Sequence, residues 1–464
     1  MKYLIAFFFL LSQSVFANIS LPAVIADNMV LQQKSKVKLW GWGSPGEKVF
    51  IKPSWNAGID SAVVSSEAKW SCLVQTPSAG GPYTIEIKGY NTIQLSNILI
   101  GEVWLCSGQS NMEMSVNWGL NYQDEMLGVG NKNIRFFNVI KSTSPYPQDD
   151  LKASWELPSS AIVRSFSAVA CFFAKKLEQE MKVPVGVINA SWGGSCAEAW
   201  TPAGVVSQDS VLRAAAQKLK PSSYSSIVPG VNYNAMISPL TNYNIAGVLW
   251  YQGETNVGQT TYTSLLTQMI VSWREAWNKA LPFYFAQIAP WSGYGTSISA
   301  PLLRESQSKI GELPGTGMVI TSDLVNDITD IHPKMKKEVG ERFANYALAE
   351  TYGNKNLAYK CPEFKEMKIK KGKAVISFTN VNSGLISKSG KVKEFFIAGA
   401  DKAFVPAKAL IKGNTVEVWT ESVLFPVAVR YGFTGDSQAD LFNKEGLPVN
   451  LFRTDNWNVP TVSK

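Results

Sequence analysis

Five short, nearly uninterrupted apolar runs recur through the middle of the chain, at residues 98–105, 184–189, 245–250, 283–288 and 317–321. Each has the length of a strand, and none alternates with polar residues as a strand with one wet face would. Strands buried on both faces read this way, and they belong to parallel sheets covered by helices on either side. The segments between them supply helices: 169–181, 262–277 and 334–346 carry apolar residues at helical spacing. The expected centre is an α/β domain over residues 98–353, with helices on both faces of a parallel sheet.

The flanks follow a period of two. Residues 37–42 alternate, Ser44-Pro45-Gly46 turns the chain, and 83–88 alternate again after Ala79-Gly80-Gly81-Pro82. Residues 18–97 are expected to form a small β-sandwich. Strand-like runs at 373–378, 416–419 and 427–430 predict a second β domain over 354–464. With 464 residues, 45% of them hydrophobic and 17% charged, the chain has material for three packed units.

The first seventeen residues read as a secretory signal. Lys2 is the charged start, 3–11 the apolar stretch, and Val15-Phe16-Ala17 the cleavage site. The expected mature chain starts at Asn18 and is exported, to the periplasm or beyond. No later run approaches the ~20 apolar residues of a membrane span, and no Cys follows the cleavage site to carry a lipid, so no membrane anchor is expected. Five cysteines, with no C-x-x-C pair, read mainly as buried thiols and leave a Cys106–Cys196 bridge open. A net charge of +8 without a concentrated basic face gives no support for a nucleic-acid partner.

The chain holds a single histidine, His332. A His-rich metal site is therefore excluded, and no metal or cofactor is expected. Imidazole catalysis must run through that residue. Function in a parallel α/β sheet collects at the carboxyl ends of its strands. There the sequence places Cys106-Ser-Gly-Gln-Ser110-Asn-Met112, Asn189-Ala-Ser-Trp-Gly-Gly-Ser195, Tyr251-Gln-Gly-Glu-Thr-Asn256, and Asp323 with Asp327, Asp330 and His332. A serine esterase needs a nucleophile, an imidazole base, an orienting carboxylate and oxyanion donors. Ser110 beside Gly108, His332 and Asp330 fill the first three roles. The N–H groups of Ser110, Gly193 and Gly194 and an amide from Gln252 or Asn256 are candidates for the fourth.

Four of these blocks, Gly108-Gln-Ser110-Asn-Met112, Ser191-Trp-Gly-Gly-Ser195, Trp250-Tyr-Gln-Gly-Glu254 and Asp330-Ile-His-Pro333, resemble the sialate O-acetylesterases of the SGNH hydrolase superfamily. The likeness extends to Asp27–Gln32, Gly80–Tyr83, Arg304–Gln307, Asn443–Pro448 and Phe452–Asp455, and so covers nearly the whole mature chain. The resemblance implies a flavodoxin-like catalytic fold and deacetylation of acetylated sugars without a metal. It matches Ser110 to the nucleophile, His332 to the base, Gly193 or Gly194 to a backbone oxyanion donor and Gln252 to an amide donor. The superfamily often places its Asp three residues before the His. Here that position is Thr329, so Asp330, Asp323, Asp327 or a Ser–His dyad all stay open. Trp192, Trp250, Glu254 and Arg304 are expected to contact substrate. Sialic acid is the leading sugar, with hemicellulose acetylesterase or a non-catalytic glycan-binding protein as alternatives. A lipase or peptidase has less support. The oligomeric state is not legible.

Overall fold

The computed structural model of the protein describes residues 18–122, 125 and 131–457. The expected signal segment, 1–17, lies outside them. At the centre runs β1 (Thr92–Gly108), a strand of 17 residues. Its first part pairs antiparallel with Gly80–Lys88, and its second part pairs in parallel with two strands of the central sheet. The change of pattern at residue 98 therefore marks a change of surroundings along one continuous strand. From Ile98 onward every residue of β1 is buried, as the apolar run requires.

The sheet continues with β2 (Ile134–Asn138), β3 (Val185–Ser191), β4 (Gly247–Tyr251), β5 (Phe283–Ala286) and β6 (Thr316–Val319). Its spatial order is β6-β5-β4-β1-β3-β2, with every neighbouring pair parallel. Without β2, the strands lie in the order second, first, third, fourth, fifth along the chain, which is the flavodoxin-like arrangement. The strand order reverses between β1 and β4, and ligands bind at such a switch point, outside the carboxyl ends. β1 and β4 are in register there, with Gly108 opposite Tyr251.

Helices α1 (Ala168–Met181) and α4 (Lys336–Tyr346) cover one face; α2 (Tyr262–Ala276) and α3 (Ser299–Ile310) cover the other. The pleat sorts the side chains between them. Along β1, Val103 and Leu105 join the core under α2, while Trp104 and Cys106 join the core under α1. This excludes the Cys106–Cys196 bridge left open by the sequence. Cys106 lies on the α1 face, Cys196 belongs to the opposite core, and all five cysteines are free thiols.

The N-terminal strands form a two-stranded ribbon, Lys36–Trp42 with Lys69–Gln75, and a layer hydrogen-bonded into β1. Toward the C-terminus two four-stranded antiparallel sheets share a core that includes Ile376, Val418, Ile397 and Tyr431. Among the described residues no helix is long and apolar enough to cross a membrane.

Candidate active site

The nucleophile candidate owes its position to a glycine. Gly108 ends β1 at φ +134°, and a Cβ there would stand 2.2 Å from the Tyr251 carbonyl oxygen. Only glycine lets the two strand ends approach this closely, and the Gln109 N–H then donates to that same oxygen at 2.9 Å. Ser110 follows at once, opening the helical turn Ser110–Glu113. The neighbouring loop serines are spent on the backbone and its supports. Ser107 Oγ donates to the Ala190 carbonyl at 2.6 Å, and Ser191 Oγ to Asn189 Oδ1 at 2.8 Å. Among the described residues the Ser110 hydroxyl has no protein hydrogen bond, so it is free to act.

The glycine pair packs against Ser110; a Cβ on Gly193 would lie 3.4 Å from Ser110 Cβ. Its two N–H groups have different fates. That of Gly193 donates to Glu113 Oε2 at 2.6 Å, and the other oxygen of Glu113 meets Lys141 Nζ at 2.5 Å. Gly194 adopts φ +75°, and its N–H has no protein acceptor among the described residues. Two backbone donors beside Ser110, its own N–H and that of Gly194, have no protein acceptor among the described residues.

His332 is partly exposed, its ring edge-on to Trp118 at 5.9 Å between centroids. Asp330 Oδ1 accepts the His332 backbone N–H at 2.8 Å and lies 3.7 Å from Nδ1 of the ring. The other two aspartates are occupied elsewhere. Asp323 is buried in a two-pronged pair with Arg342, both contacts 2.7 Å, and Asp327 holds the backbone and hydroxyl of Thr329. Burial pushes the His332 imidazole below its ordinary pKa; the nearby Lys336 pushes the same way, and Asp330 opposes both. Burial and Lys336 thus both favour the neutral ring that a base requires.

Beneath these groups lies a buried network that the sequence did not disclose. Asn111 Nδ2 donates to Glu254 Oε1 at 2.6 Å and to the Ile331 carbonyl at 3.2 Å, while its Oδ1 accepts from Lys336 Nζ at 2.5 Å. Lys336 is 1% exposed, and its ammonium stands over the Tyr251 ring at 5.2 Å. Burial drives its pKa from 10.5 to about 7, against the pull of Glu254 and Asp330. Burial raises the Glu254 carboxyl in turn. One side chain thus ties the strand ends that carry Ser110, His332 and Glu254.

Residues 100–349 match the family described as carbohydrate esterase, sialic acid-specific acetylesterase. This chain belongs to that family. Over 401 residues it is 30% identical to the sialate O-acetylesterase of Homo sapiens, covering 76% of this chain and 75% of the relative. The enzyme of that name from Mus musculus is 28% identical over 437 residues, 79% of this chain and 80% of the relative. The crystal structure of a carbohydrate acetylesterase from Xanthomonas citri superposes with a TM-score of 0.87 at 36% identity, over 95% of this chain and 100% of that one.

The acetylesterase is a carboxylic ester hydrolase, and its structure divides the sequence-derived site residues into two groups. Ser110, Gly193, Gly194, Trp192, Asp330, His332 and Glu254 belong to the loops at the switch point. Trp250 does not reach them. It is fully buried on the α2 face, edge-on to Trp200 and Trp273, because alternation along β4 points it into the core. Arg304 is also buried, donating to the Thr434 and Gly435 carbonyls and so joining α3 to the C-terminal β region. These packing roles replace the substrate contacts expected of both. Gln252 is fully buried, and its amide donates to Ser195 O at 3.2 Å and Asn256 Oδ1 at 2.6 Å, while Tyr262 Oη donates to its Oε1 at 2.9 Å. With its amide donors engaged there, Gln252 supports the loops.

Proposed function

We propose that this carbohydrate esterase removes acetyl groups from O-acetylated sugars through an acetyl-serine intermediate. Ser110 Oγ attacks the acetyl carbonyl while His332 takes its proton. The carbonyl oxygen, now an anion, accepts hydrogen bonds from the N–H groups of Ser110 and Gly194. Collapse breaks the ester bond, and His332 protonates the departing sugar oxygen. Water, deprotonated by the same imidazole, then hydrolyses the acetyl-enzyme and restores Ser110. Asp330 steadies the ring, closing the 3.7 Å separation from Nδ1 when the imidazolium forms.

The observation that carries this reading is the Ser110 hydroxyl and the Gly194 N–H, both without a protein partner among the described residues, on a chain whose single histidine lies in the adjoining loop. The segment from Lys2 to Ala17 supports work outside the cytoplasm, in the periplasm or the medium. Acetate release from O-acetylated sialic acids and acetylated hemicelluloses, compared between wild type and Ser110→Ala, tests the activity. Wild type should release acetate and the variant should lose at least about a thousandfold. Full activity in the variant would end this reading.

A further inference from the structure

Three residues that line a single cleft, Glu254, Thr261 and Tyr294, each carry a buried side-chain oxygen (Oε2, Oγ1 and Oη) without a hydrogen-bond partner among the described residues. A buried polar atom without a partner is costly, and native proteins keep few of them. Their shared cleft has a volume of about 860 Å³, within the ~300–1,000 Å³ typical of small-molecule sites. It adjoins the catalytic loops through two links. Glu254 Oε1 is held by Asn111, the residue after Ser110, and Ile331, the residue before His332, forms part of the wall. Trp291 brings a flat apolar ring to the same wall, and its Nε1 donates to the Thr329 carbonyl at 3.0 Å.

We infer that this cleft is the subsite for the sugar ring that leaves when the acetyl group is transferred, and that it takes an uncharged pyranose. The inference rests on Ser110 being the acylated residue. Glu254 Oε2 accepts one ring hydroxyl, Tyr294 and Thr261 exchange hydrogen bonds with others, and Trp291 covers an apolar sugar face. Glu254 is an acid, Lys218 is the only basic residue among the described lining residues, and Lys336 reaches the Glu254 carboxyl from behind the wall through the Asn111 amide, so an anionic sugar meets the carboxylate with little compensation from the cleft itself.

The test is direct binding, in the Ser110→Ala protein, of two probes at millimolar concentration by saturation-transfer NMR: methyl β-glucopyranoside and N-acetylneuraminic acid. The neutral glycoside should bind, and Thr261→Val and Tyr294→Phe should each weaken it by roughly fivefold, one hydrogen bond's worth. The anionic sugar should bind more weakly, and thermal unfolding checks that each variant is folded. Unchanged binding in both variants, no binding of the neutral glycoside, or tighter binding of the anionic sugar would overturn the subsite. Acetylation of Ser110 in the wild-type enzyme is read separately. Variants that bind normally while Ser110 is acetylated refute the subsite alone, and glycoside binding without an acetylated Ser110 refutes the catalytic reading alone.

Discussion

The side-chain amide of Asn111 donates to the backbone carbonyl of Ile331 at 3.2 Å, which fixes the residue after the nucleophile candidate to the residue before the base candidate. Those two segments are more than two hundred residues apart in the chain, and this is a direct hydrogen bond between them. The same amide meets Glu254 and Lys336, so its loss would strand a carboxylate and an ammonium in the interior. Asn111→Ala is expected to lower stability by about 2–3 kcal/mol and to reduce kcat more than it raises KM. Urea unfolding together with steady-state kinetics checks both effects.

The aspartates should separate by mechanism. Asp330→Asn removes the carboxylate nearest the His332 ring and should cut kcat/KM by tenfold or more with little change in stability. Asp323→Asn breaks the buried pair with Arg342 and should lower the melting temperature first. Asp327→Asn touches only an exposed turn and should change neither. Equal, small losses of activity at all three positions would indicate a Ser–His dyad.

Lys336 sets a pH dependence whose sign can be stated. Its cation lowers the His332 pKa, so Lys336→Met should move the acidic limb of kcat/KM toward higher pH. The stability effect runs through linkage. With a folded-state pKa near 7, below the ordinary 10.5, the unfolded chain binds the proton more tightly between those values. Stability contributed by this group therefore grows as pH rises from about 7 to 10.5 and is lost as pH falls through 7. Unfolding measured in that window should show a rise in wild type that the methionine variant lacks. An unmoved acidic limb would remove Lys336 from the electrostatics of the site.

Gly194 should resist substitution more than its partly exposed position suggests. Its φ of +75° disfavours any L side chain, and a Cβ there would lie 2.9 Å from Tyr224 Cβ. Tyr224 is exposed and can move aside, but the backbone strain of about 1–2 kcal/mol stays. Gly194→Ala should reduce kcat, and adding Tyr224→Ala should restore only part of it. Complete rescue by the double variant would mean that crowding alone matters.

The parts of this molecule legible from sequence are those where one local rule decides the outcome. The fully buried strands announced themselves as apolar runs, and their carboxyl ends located Ser110, the glycine pair and His332. Single-sequence reading erred where tertiary placement decides. Trp250 and Arg304 stand inside or beside family-like motifs, yet the pleat of β4 and the docking of the C-terminal sheets turn them into packing residues. The opposite failure concerns Asn111 and Lys336. An asparagine in a turn and a lysine at a helix start are ordinary in sequence, and only folding brings them together with Glu254. One signal was available: Lys336 lies four residues beyond the only histidine, close enough for the chain to return it to the site.

Mass spectrometry of enzyme quenched during turnover tests the central claim most directly. Wild-type protein mixed with an acetylated substrate should carry one acetyl group, located by peptide mapping on Ser110, and Ser110→Ala should carry none at that position. An acetyl group on another residue, or acetate release with no acetylated protein under any quench condition, would contradict the acetyl-serine mechanism.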